Sequence, residues 1–188
     1  MTGTIKKYDT IGCCGIDCGL CPRYYTDGDS ACPGCGGLNF RDKHPSCGYL
    51  TCCAIKKGHE VCSECEDYRC KRFDSEKDGY DSFVTHKKVF INLDFIKENG
   101  IDYFIAQQKQ RINILRDFID NFDDGRSKNY FCLCCALLPL DKLNETHGFI
   151  KSKQSDRLST KEQNIILKDK LQMIADNLDI ELKLNKKK

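Results

Sequence analysis

The sequence predicts a mainly α-helical chain with an irregular, cysteine-rich N-terminal region and a short C-terminal strand, which is a small α+β fold. Twelve of the 15 cysteines in this 188-residue chain lie between Cys13 and Cys70. Beyond residue 80, apolar residues recur at helical spacing, and the last residues alternate as in a strand. The pattern divides the chain into a cysteine-rich region, residues 1–80, and a helical region, residues 81–188.

The cysteine content indicates thiols that bind metal rather than thiols paired in disulfides. The first ten residues, MTGTIKKYDT, lack the apolar run of a secretion signal, and no stretch reaches the ~20 apolar residues of a membrane span. We therefore expect a cytoplasmic protein without a membrane segment, in which reducing conditions keep thiols free. The N-terminal region is accordingly predicted to be stapled by metal–thiolate sites.

Three pairs of cysteines have two residues between them, which is the spacing of a zinc knuckle. The pairs are Cys18 with Cys21, Cys32 with Cys35, and Cys62 with Cys65. A tight turn of this kind directs both sulfurs at one ion, and two turns complete a tetrahedral site with Zn–S distances of ~2.3 Å. Proline and glycine in the second pair favour such a turn. The region therefore predicts two or three Zn²⁺ ions, each bound by four thiolates.

Six further cysteines and two histidines complete the set of candidate ligands. The cysteines are Cys13, Cys14, Cys47, Cys52, Cys53 and Cys70. Twelve cysteines could fill three four-thiolate sites. Neighbouring side chains point apart unless the backbone bends sharply, so two sites with some cysteines unbound are equally compatible with the sequence. His44 and His59 are expected to be loop residues in contact with water, because the cysteines suffice as ligands.

Other interpretations of the cysteines lead to different functions. A 4Fe–4S cluster held by four thiolates is the alternative cofactor, although the ferredoxin spacing C-x2-C-x2-C-x3-C is absent. Nucleic-acid binding is disfavoured, because the formal charge is only +2 and each four-thiolate zinc site adds two negative charges. A thioredoxin-like site would need a strand before the cysteine pair and a helix after it, which the flanking residues do not predict.

Four motifs follow one another in the N-terminal half of the chain. They are Cys14-Gly-Ile-Asp-Cys18-Gly-Leu-Cys21-Pro22, Cys32-Pro-Gly-Cys35, Cys53-Ala-Ile-Lys-Lys-Gly58 and Cys62-Ser-Glu-Cys65-Glu-Asp-Tyr68-Arg-Cys70. The order and the residues of these motifs resemble those of the prokaryotic cysteine-rich domain-of-unknown-function family 3795. The resemblance continues to Gln107-Gln108 and so covers about residues 11 to 111. It implies a zinc-binding fold and no established activity.

The resemblance also implies which cysteines bind the metal. Position by position, the cysteines of the family fall on ten residues of this chain: Cys14, Cys18, Cys21, Cys32, Cys35, Cys47, Cys53, Cys62, Cys65 and Cys70. Cys13 and Cys52 are extra cysteines in this comparison, so they are expected to be spectators. Cys47 lies one residue away from the expected spacing, and Arg69 stands where the family has a proline.

Apolar residues predict two long helices in the second half of the chain. Between residues 101 and 122 they recur at steps of three, four or seven and define one buried face, after a shorter helix over residues 93–98 that Gly100 ends. The Ser-Thr-Lys-Glu sequence at residues 159–162 is a capping box, which predicts the start of another helix. Residues 179–184 alternate like an edge strand.

The remaining three cysteines, Cys132, Cys134 and Cys135, lie among apolar residues. Free cysteine in such a setting behaves as a small hydrophobic residue. They are therefore predicted to pack in the helical core rather than to bind metal.

The sequence does not predict an enzyme, and no catalytic residue is assigned. None of the four histidines lies in a metalloprotease or deaminase signature, and closed four-coordinate sites leave no position for a substrate. The predicted function is that of a zinc-binding structural or interaction protein, an adaptor or regulatory protein with a protein partner. The alternative is an iron–sulfur electron-transfer or redox protein.

Overall fold

The computed structural model describes residues 3–44, 46–74, 80–153 and 158–186. The chain forms two compact units, an N-terminal unit of Met1–Ile105 with Leu184–Lys188, and a C-terminal unit of Ala106–Lys183. The composition of the sequence instead predicts a division at residue 80. The units divide later in the chain because helix α3, Val89–Asn99, contributes three side chains to the apolar core of the N-terminal unit.

Single turns build most of the first 74 residues. The described part of this segment contains 3₁₀ turns at Cys18–Leu20, Pro22–Tyr25, Gly28–Ser30, Cys62–Glu64 and Lys71–Phe73, helix α1 at Phe40–Lys43 and helix α2 at Gly48–Leu50. Helix α2 continues into a π-helical turn, Thr51–Lys56, which carries Cys52 and Cys53. Frequent cysteine, glycine and proline interrupt any apolar pattern of helical period, so long amphipathic helices do not form here.

Two apolar clusters form the core of the N-terminal unit. The first comprises Ile11, Cys14, Val61, Phe73, Val89, Leu93, Ile96 and Ile105. The second comprises Cys13, Cys35, Phe40, Leu50 and Cys53. The neighbours Cys13 and Cys14 thus belong to different clusters, as expected for adjacent side chains that point apart. Because three of its five buried residues are cysteines, the second cluster is held by much less hydrocarbon than an ordinary core.

Long helices build the rest of the chain, so the mainly α-helical prediction is confirmed. They are α4 at Ile101–Phe122, α5 at Lys128–Leu137, α6 at Leu140–Lys153 and α7 at Thr160–Asn177. The predicted capping box is present at the start of α7, where the N–H of Ser159 donates to Glu162 Oε2 at 2.9 Å and the N–H of Glu162 donates to Ser159 Oγ at 3.3 Å. No helix among the described residues has the length and apolar content needed to cross a membrane.

The predicted strand at residues 179–184 is wrong, because the described part of the chain contains no strand. Asp179 has a φ of 53°, and the N–H of Ile180 donates to the carbonyl of Ala175 at 2.9 Å, so α7 ends in a turn. Farther on, the N–H of Asn185 donates to Asp81 Oδ2 at 2.7 Å, and the N–H of Asp81 donates to the carbonyl of Asn185 at 2.7 Å. An alternating segment needs a neighbouring strand to pair with. The hydrogen bonds between Asp81 and Asn185 join the C-terminal segment to the chain at a single point and do not form a strand.

Gly15 lies where the first cysteine motif meets helix α3, and its replacement tests this contact. Its φ is +90°, and a Cβ atom there would lie 2.5 Å from the carbonyl oxygen of Val89 and 2.7 Å from Leu93 Cγ. We expect Gly15→Ala to lower the free energy of unfolding by about 3 kcal/mol, because the positive φ and the steric clash both act against alanine. Urea unfolding followed by tyrosine fluorescence measures the loss.

Gly58→Ala is the matched control. Gly58 has a φ of +71°, but a Cβ atom there would meet nothing within 4 Å. This variant should lose only about 1 kcal/mol, the cost of the backbone conformation alone. Equal losses in the two variants would show that the approach of Gly15 to α3 does not matter for stability.

Candidate metal centre

Two of the three Cys-x-x-Cys pairs close the same hydrogen-bonded turn. The N–H of Cys21 donates to the carbonyl of Cys18 at 3.1 Å, and the N–H of Cys65 donates to the carbonyl of Cys62 at 3.1 Å. Each pair spans a 3₁₀ turn, in which side chains three residues apart lie on the same side of the chain. Each turn therefore presents two sulfurs together.

The remaining pair, Cys32 with Cys35, depends on glycine for its turn. The N–H of Cys35 donates to the carbonyl oxygen of Asp9 at 2.8 Å, and Gly34 has a φ of +80°. A Cβ atom at Gly34 would lie 2.4 Å from that same carbonyl oxygen. Only glycine permits this approach, and it fixes the loop that carries Cys32 and Cys35 against the N-terminal segment.

In the first knuckle, which is Cys18 with Cys21, backbone N–H groups lie near the sulfur of Cys21. The N–H groups of Arg23 and Tyr24 form hydrogen bonds with the thiol of Cys21. Burial raises the pKa of Cys21, while these donors lower it in part because they stabilise the thiolate. The charge of Cys32 also raises this pKa, and the N–H of Cys32 donates to the carbonyl of Arg23 at 2.9 Å. The first and second knuckles are therefore in contact at Cys21 and Cys32.

Four thiols form a continuous row in the N-terminal unit, which we name the thiol row: Cys35, Cys13, Cys53 and Cys62. Each of these thiols interacts with the next and shifts its pKa. The interaction with Cys35 lowers the pKa of Cys13, but the interaction with Cys53 and burial raise it to about 12. The interaction with Cys13, together with burial, raises the pKa of Cys35. The row brings together four segments of the chain, and a backbone hydrogen bond from the N–H of Cys62 to the carbonyl of Cys13 at 2.8 Å joins two of them.

A buried cation lies beside the thiol row. Lys6 is only 5% exposed, and its Nζ donates to the carbonyl of Ile11 at 2.5 Å. Burial lowers the pKa of the Lys6 ammonium, but the nearby sulfurs of Cys35, Cys13 and Cys18 raise it by more, so the pKa is raised overall. A buried cation is costly unless negative charge lies close to it, and the carboxylates of Glu60 and Asp9 supply such charge, to which thiolates at Cys35, Cys13 or Cys18 would add.

A cavity of about 70 Å³, which we name the cysteine cavity, adjoins one end of the thiol row. Five cysteines line it: Cys52, Cys53, Cys62, Cys65 and Cys70. Lys57 and Arg72 also line it, and Lys57 Nζ lies 2.9 Å from Cys65 Sγ and 2.8 Å from Asp67 Oδ2. The π-helical turn changes the usual angle between successive side chains, so both members of the Cys52-Cys53 doublet reach this one cavity.

The structure distributes the ten predicted ligands over several places. Cys35, Cys53 and Cys62 lie in the thiol row, and Cys65 and Cys70 lie in the wall of the cysteine cavity. Cys21 lies beside Cys32. Cys18 and Cys47 lie at the edge of the second apolar cluster, and Cys14 belongs to the first apolar cluster. Among the described residues, no three cysteine, histidine, aspartate or glutamate side chains have the arrangement of a bound ion. The metal sites therefore stay a prediction.

The two cysteines expected to be spectators are both close to the other thiols. Cys13, which is fully buried, is the second member of the thiol row, and Cys52 lines the cysteine cavity. The apolar Ile11-Gly12 before Cys13 was a sequence signal for burial. Nothing in the local sequence indicates the π-helical turn that directs Cys52 to the cavity.

The three distal cysteines lie on α5 and are buried, which agrees with their predicted role in packing. Cys132 is 2% exposed, and Cys134 and Cys135 are fully buried. Burial raises the pKa of Cys134 to about 12 and raises that of Cys135 far above its usual range. At neutral pH Cys134 and Cys135 are therefore uncharged thiols, and all three side chains are buried in the C-terminal unit.

No protein-family model, curated protein or solved structure matches the chain. The resemblance to family 3795 therefore rests on the sequence motifs alone and stays a prediction.

The buried thiol of Cys134 should make the stability of the C-terminal unit fall at alkaline pH. Its pKa is about 12 in the folded state, whereas an unfolded thiol ionises at a pKa of about 8.5, so the unfolded chain holds fewer protons between these values. Stability is full below about pH 8.5 and falls by about 1.4 kcal/mol per pH unit for each such thiol above it.

The free energy of urea unfolding, measured for the wild-type chain and for Cys134→Ala at about pH 8 and about pH 10, tests this effect. The alanine variant should lose stability less steeply with pH, whatever its stability at neutral pH, since the comparison is between two slopes. Identical slopes would contradict the assignment of the raised pKa to Cys134.

Proposed function

We propose that the chain is a cytoplasmic zinc-binding structural or interaction protein whose N-terminal unit is held together by two or three closed four-thiolate Zn²⁺ sites. The nine cysteines of the four motifs, together with Cys47, are the proposed source of ligands. The observation that carries the proposal is the thiol row, in which sulfurs from four segments lie in contact beside the buried Lys6. The resemblance to family 3795 supports the same function.

The energetics of the N-terminal unit favour a metal. A thiol is a weak hydrogen-bond donor, and the row joins segments that consist of single turns. Two small apolar clusters supply the remaining packing. A structural zinc ion contributes about 10–16 kcal/mol in small zinc-binding peptides, which is far more than contacts between neutral thiols can provide. Metal coordination is therefore the most effective interaction that this set of residues could make.

The groups around the sulfurs fit a metal–thiolate site. Backbone N–H groups bond to the sulfurs of Cys21 and Cys35, and such donors orient and stabilise thiolate ligands. Lys6 lies beside the thiol row, and Lys57 donates to Cys65 Sγ. Both cations would offset the negative charge that four thiolates retain around Zn²⁺.

Closed sites favour a structural role over catalysis. An ion held by four thiolates has no open position for substrate or for an activated water molecule. We therefore propose that the folded surface, rather than the metal, carries the function, as in an adaptor or regulatory protein that binds a protein partner. Nucleic acid and membrane are not the proposed partners.

An iron–sulfur protein with an electron-transfer or redox role is the second candidate. Four thiolates can also hold a 4Fe–4S cluster, and N–H groups directed at sulfur, as at Cys21, are among the features that set the reduction potential of such clusters. Contacts between sulfurs alone do not distinguish this cofactor from zinc.

Elemental analysis of the protein purified without oxygen tests the proposal. We expect two or three zinc ions per chain and a colourless solution, because Zn²⁺ has a filled d shell. Bound iron with broad visible absorption would contradict the zinc proposal and support the iron–sulfur alternative. Protein without either metal would contradict both.

Substitution of one predicted ligand should remove metal and stability together. Cys18→Ser should lose about one zinc ion and lower the unfolding temperature of the N-terminal unit, since metal binding and folding are coupled in such regions. Cys132→Ala is the control, because Cys132 is buried in α5 of the C-terminal unit. It should keep all of the zinc, and an equal loss of zinc in both variants would contradict the assignment of Cys18.

A further inference from the structure

We propose that Cys53, Cys62, Cys65 and Cys70 share one zinc ion at the cysteine cavity, and that Lys57 positions Cys65 and offsets the charge of this site. The inference rests on the proposed zinc-binding function. It adds which four sulfurs belong together and names a residue that is not a ligand but acts on one.

Backbone turns and one thiol contact bring three of the four sulfurs together. Cys53 is 3% exposed, Cys62 packs against the apolar cluster that contains Cys53, and the thiols of the two residues interact. Cys65 follows Cys62 in the 3₁₀ turn closed by the bond from the N–H of Cys65 to the carbonyl of Cys62. The π-helical turn, which carries Cys53, thus meets the Cys62–Cys65 knuckle at this cavity, and each of the two turns contributes at least one sulfur.

Two further turns return the chain to the cavity at Cys70. The N–H of Tyr68 donates to the carbonyl of Cys65 at 3.1 Å, and the N–H of Phe73 donates to the carbonyl of Cys70 at 2.9 Å. Phe73, only 1% exposed, anchors the second of these turns in the first apolar cluster. Cys70 is held at the cavity wall by the turns on either side of it, without any long helix or strand.

The dimensions of the cavity suit an ion surrounded by four sulfurs. Its volume of about 70 Å³ exceeds the ~30 Å³ that a water molecule occupies in the liquid. A cysteine side chain has one rotatable torsion, χ1, with three staggered positions. Rotation about this torsion is the motion that would bring sulfurs in the cavity wall to the ~2.3 Å Zn–S distance.

Cations line the same cavity. Four thiolates and one Zn²⁺ carry two negative charges. Lys57 and Arg72 contribute two positive charges to the wall, and Asp67, which pairs with Lys57 at 2.8 Å, contributes one negative charge. Lys57 Nζ also lies 2.9 Å from Cys65 Sγ, so it can donate directly to a ligand sulfur and hold it in place.

Cys52 is the fifth cysteine of the wall, and a tetrahedral site needs only four. Cys53 is assigned in preference to Cys52 because its thiol contacts that of Cys62 and is almost completely buried. Cys52 therefore provides a control within the same π-helical turn and the same cavity.

The zinc content of cysteine variants tests the ligand set. In the full chain, purified without oxygen, each of the single substitutions Cys53→Ser, Cys62→Ser, Cys65→Ser and Cys70→Ser should remove about one zinc ion, while Cys52→Ser keeps the full content. Loss of zinc in Cys52→Ser, or full zinc in any of the other four variants, overturns the assignment. A wild-type chain without zinc overturns the proposed function as well, whereas zinc bound by other cysteines overturns only this inference.

Variants of Lys57 test the site without removing a ligand. Lys57→Gln should weaken the binding of one zinc ion by about tenfold, as loss of an outer-shell hydrogen bond to a ligand does, and Lys57→Arg should restore most of the affinity. Lys56→Gln is the matched control, because Lys56 is exposed, adjacent, and does not line the cavity. Competition with a chromophoric zinc chelator measures the affinities, and equal values for Lys57→Gln and Lys56→Gln overturn the role of Lys57.

Discussion

The thiol of Cys13 is fully buried and contacts the thiols of Cys35 and Cys53, so one small side chain joins three segments of the N-terminal unit. These segments are built from single turns, and backbone hydrogen bonds also cross between them. The N–H of Cys62 donates to the carbonyl of Cys13 at 2.8 Å, and the N–H of Cys35 donates to the carbonyl of Asp9 at 2.8 Å. The relative positions of the segments therefore depend on the thiol row and on these backbone bonds together. Loss of order among these sulfurs would affect the whole unit rather than one loop.

The same short loop connects the thiol row to the apolar core. Cys13 faces the row, whereas Cys14 belongs to the cluster that includes helix α3. The buried side chain of Asn92 on α3 donates to the carbonyl of Gly15 at 2.9 Å and to Asp17 Oδ2 at 2.8 Å. Packing of α3 therefore positions the loop that carries the first cysteine motif, and the cysteine chemistry and the helical core depend on each other.

Patterns of residues close in sequence predict those helices whose formation depends on neighbouring residues. The period of apolar residues predicts α4, and the capping box at Ser159 predicts the start of α7. The C-terminal strand was wrong because a strand requires a partner that the local pattern does not specify. The pairing of sulfurs has the same non-local character, since the position of Cys13 in the row follows from tertiary burial and that of Cys52 from a π-helical turn. Sequence spacing predicts which cysteines bind metal, but not which of them meet.

Charge provides a physical limit on the number of metal sites. Each four-thiolate zinc site carries two negative charges, and burial of such a group is favourable only where positive charge lies close to it. In the described part of the N-terminal unit, cations lie near cysteine sulfurs at three places: Lys6 beside the thiol row, Arg23 near Cys21, and Lys57 at the cysteine cavity. The spacing of the cysteines allows two or three ions. Positive charge is therefore available for as many sites as this spacing allows.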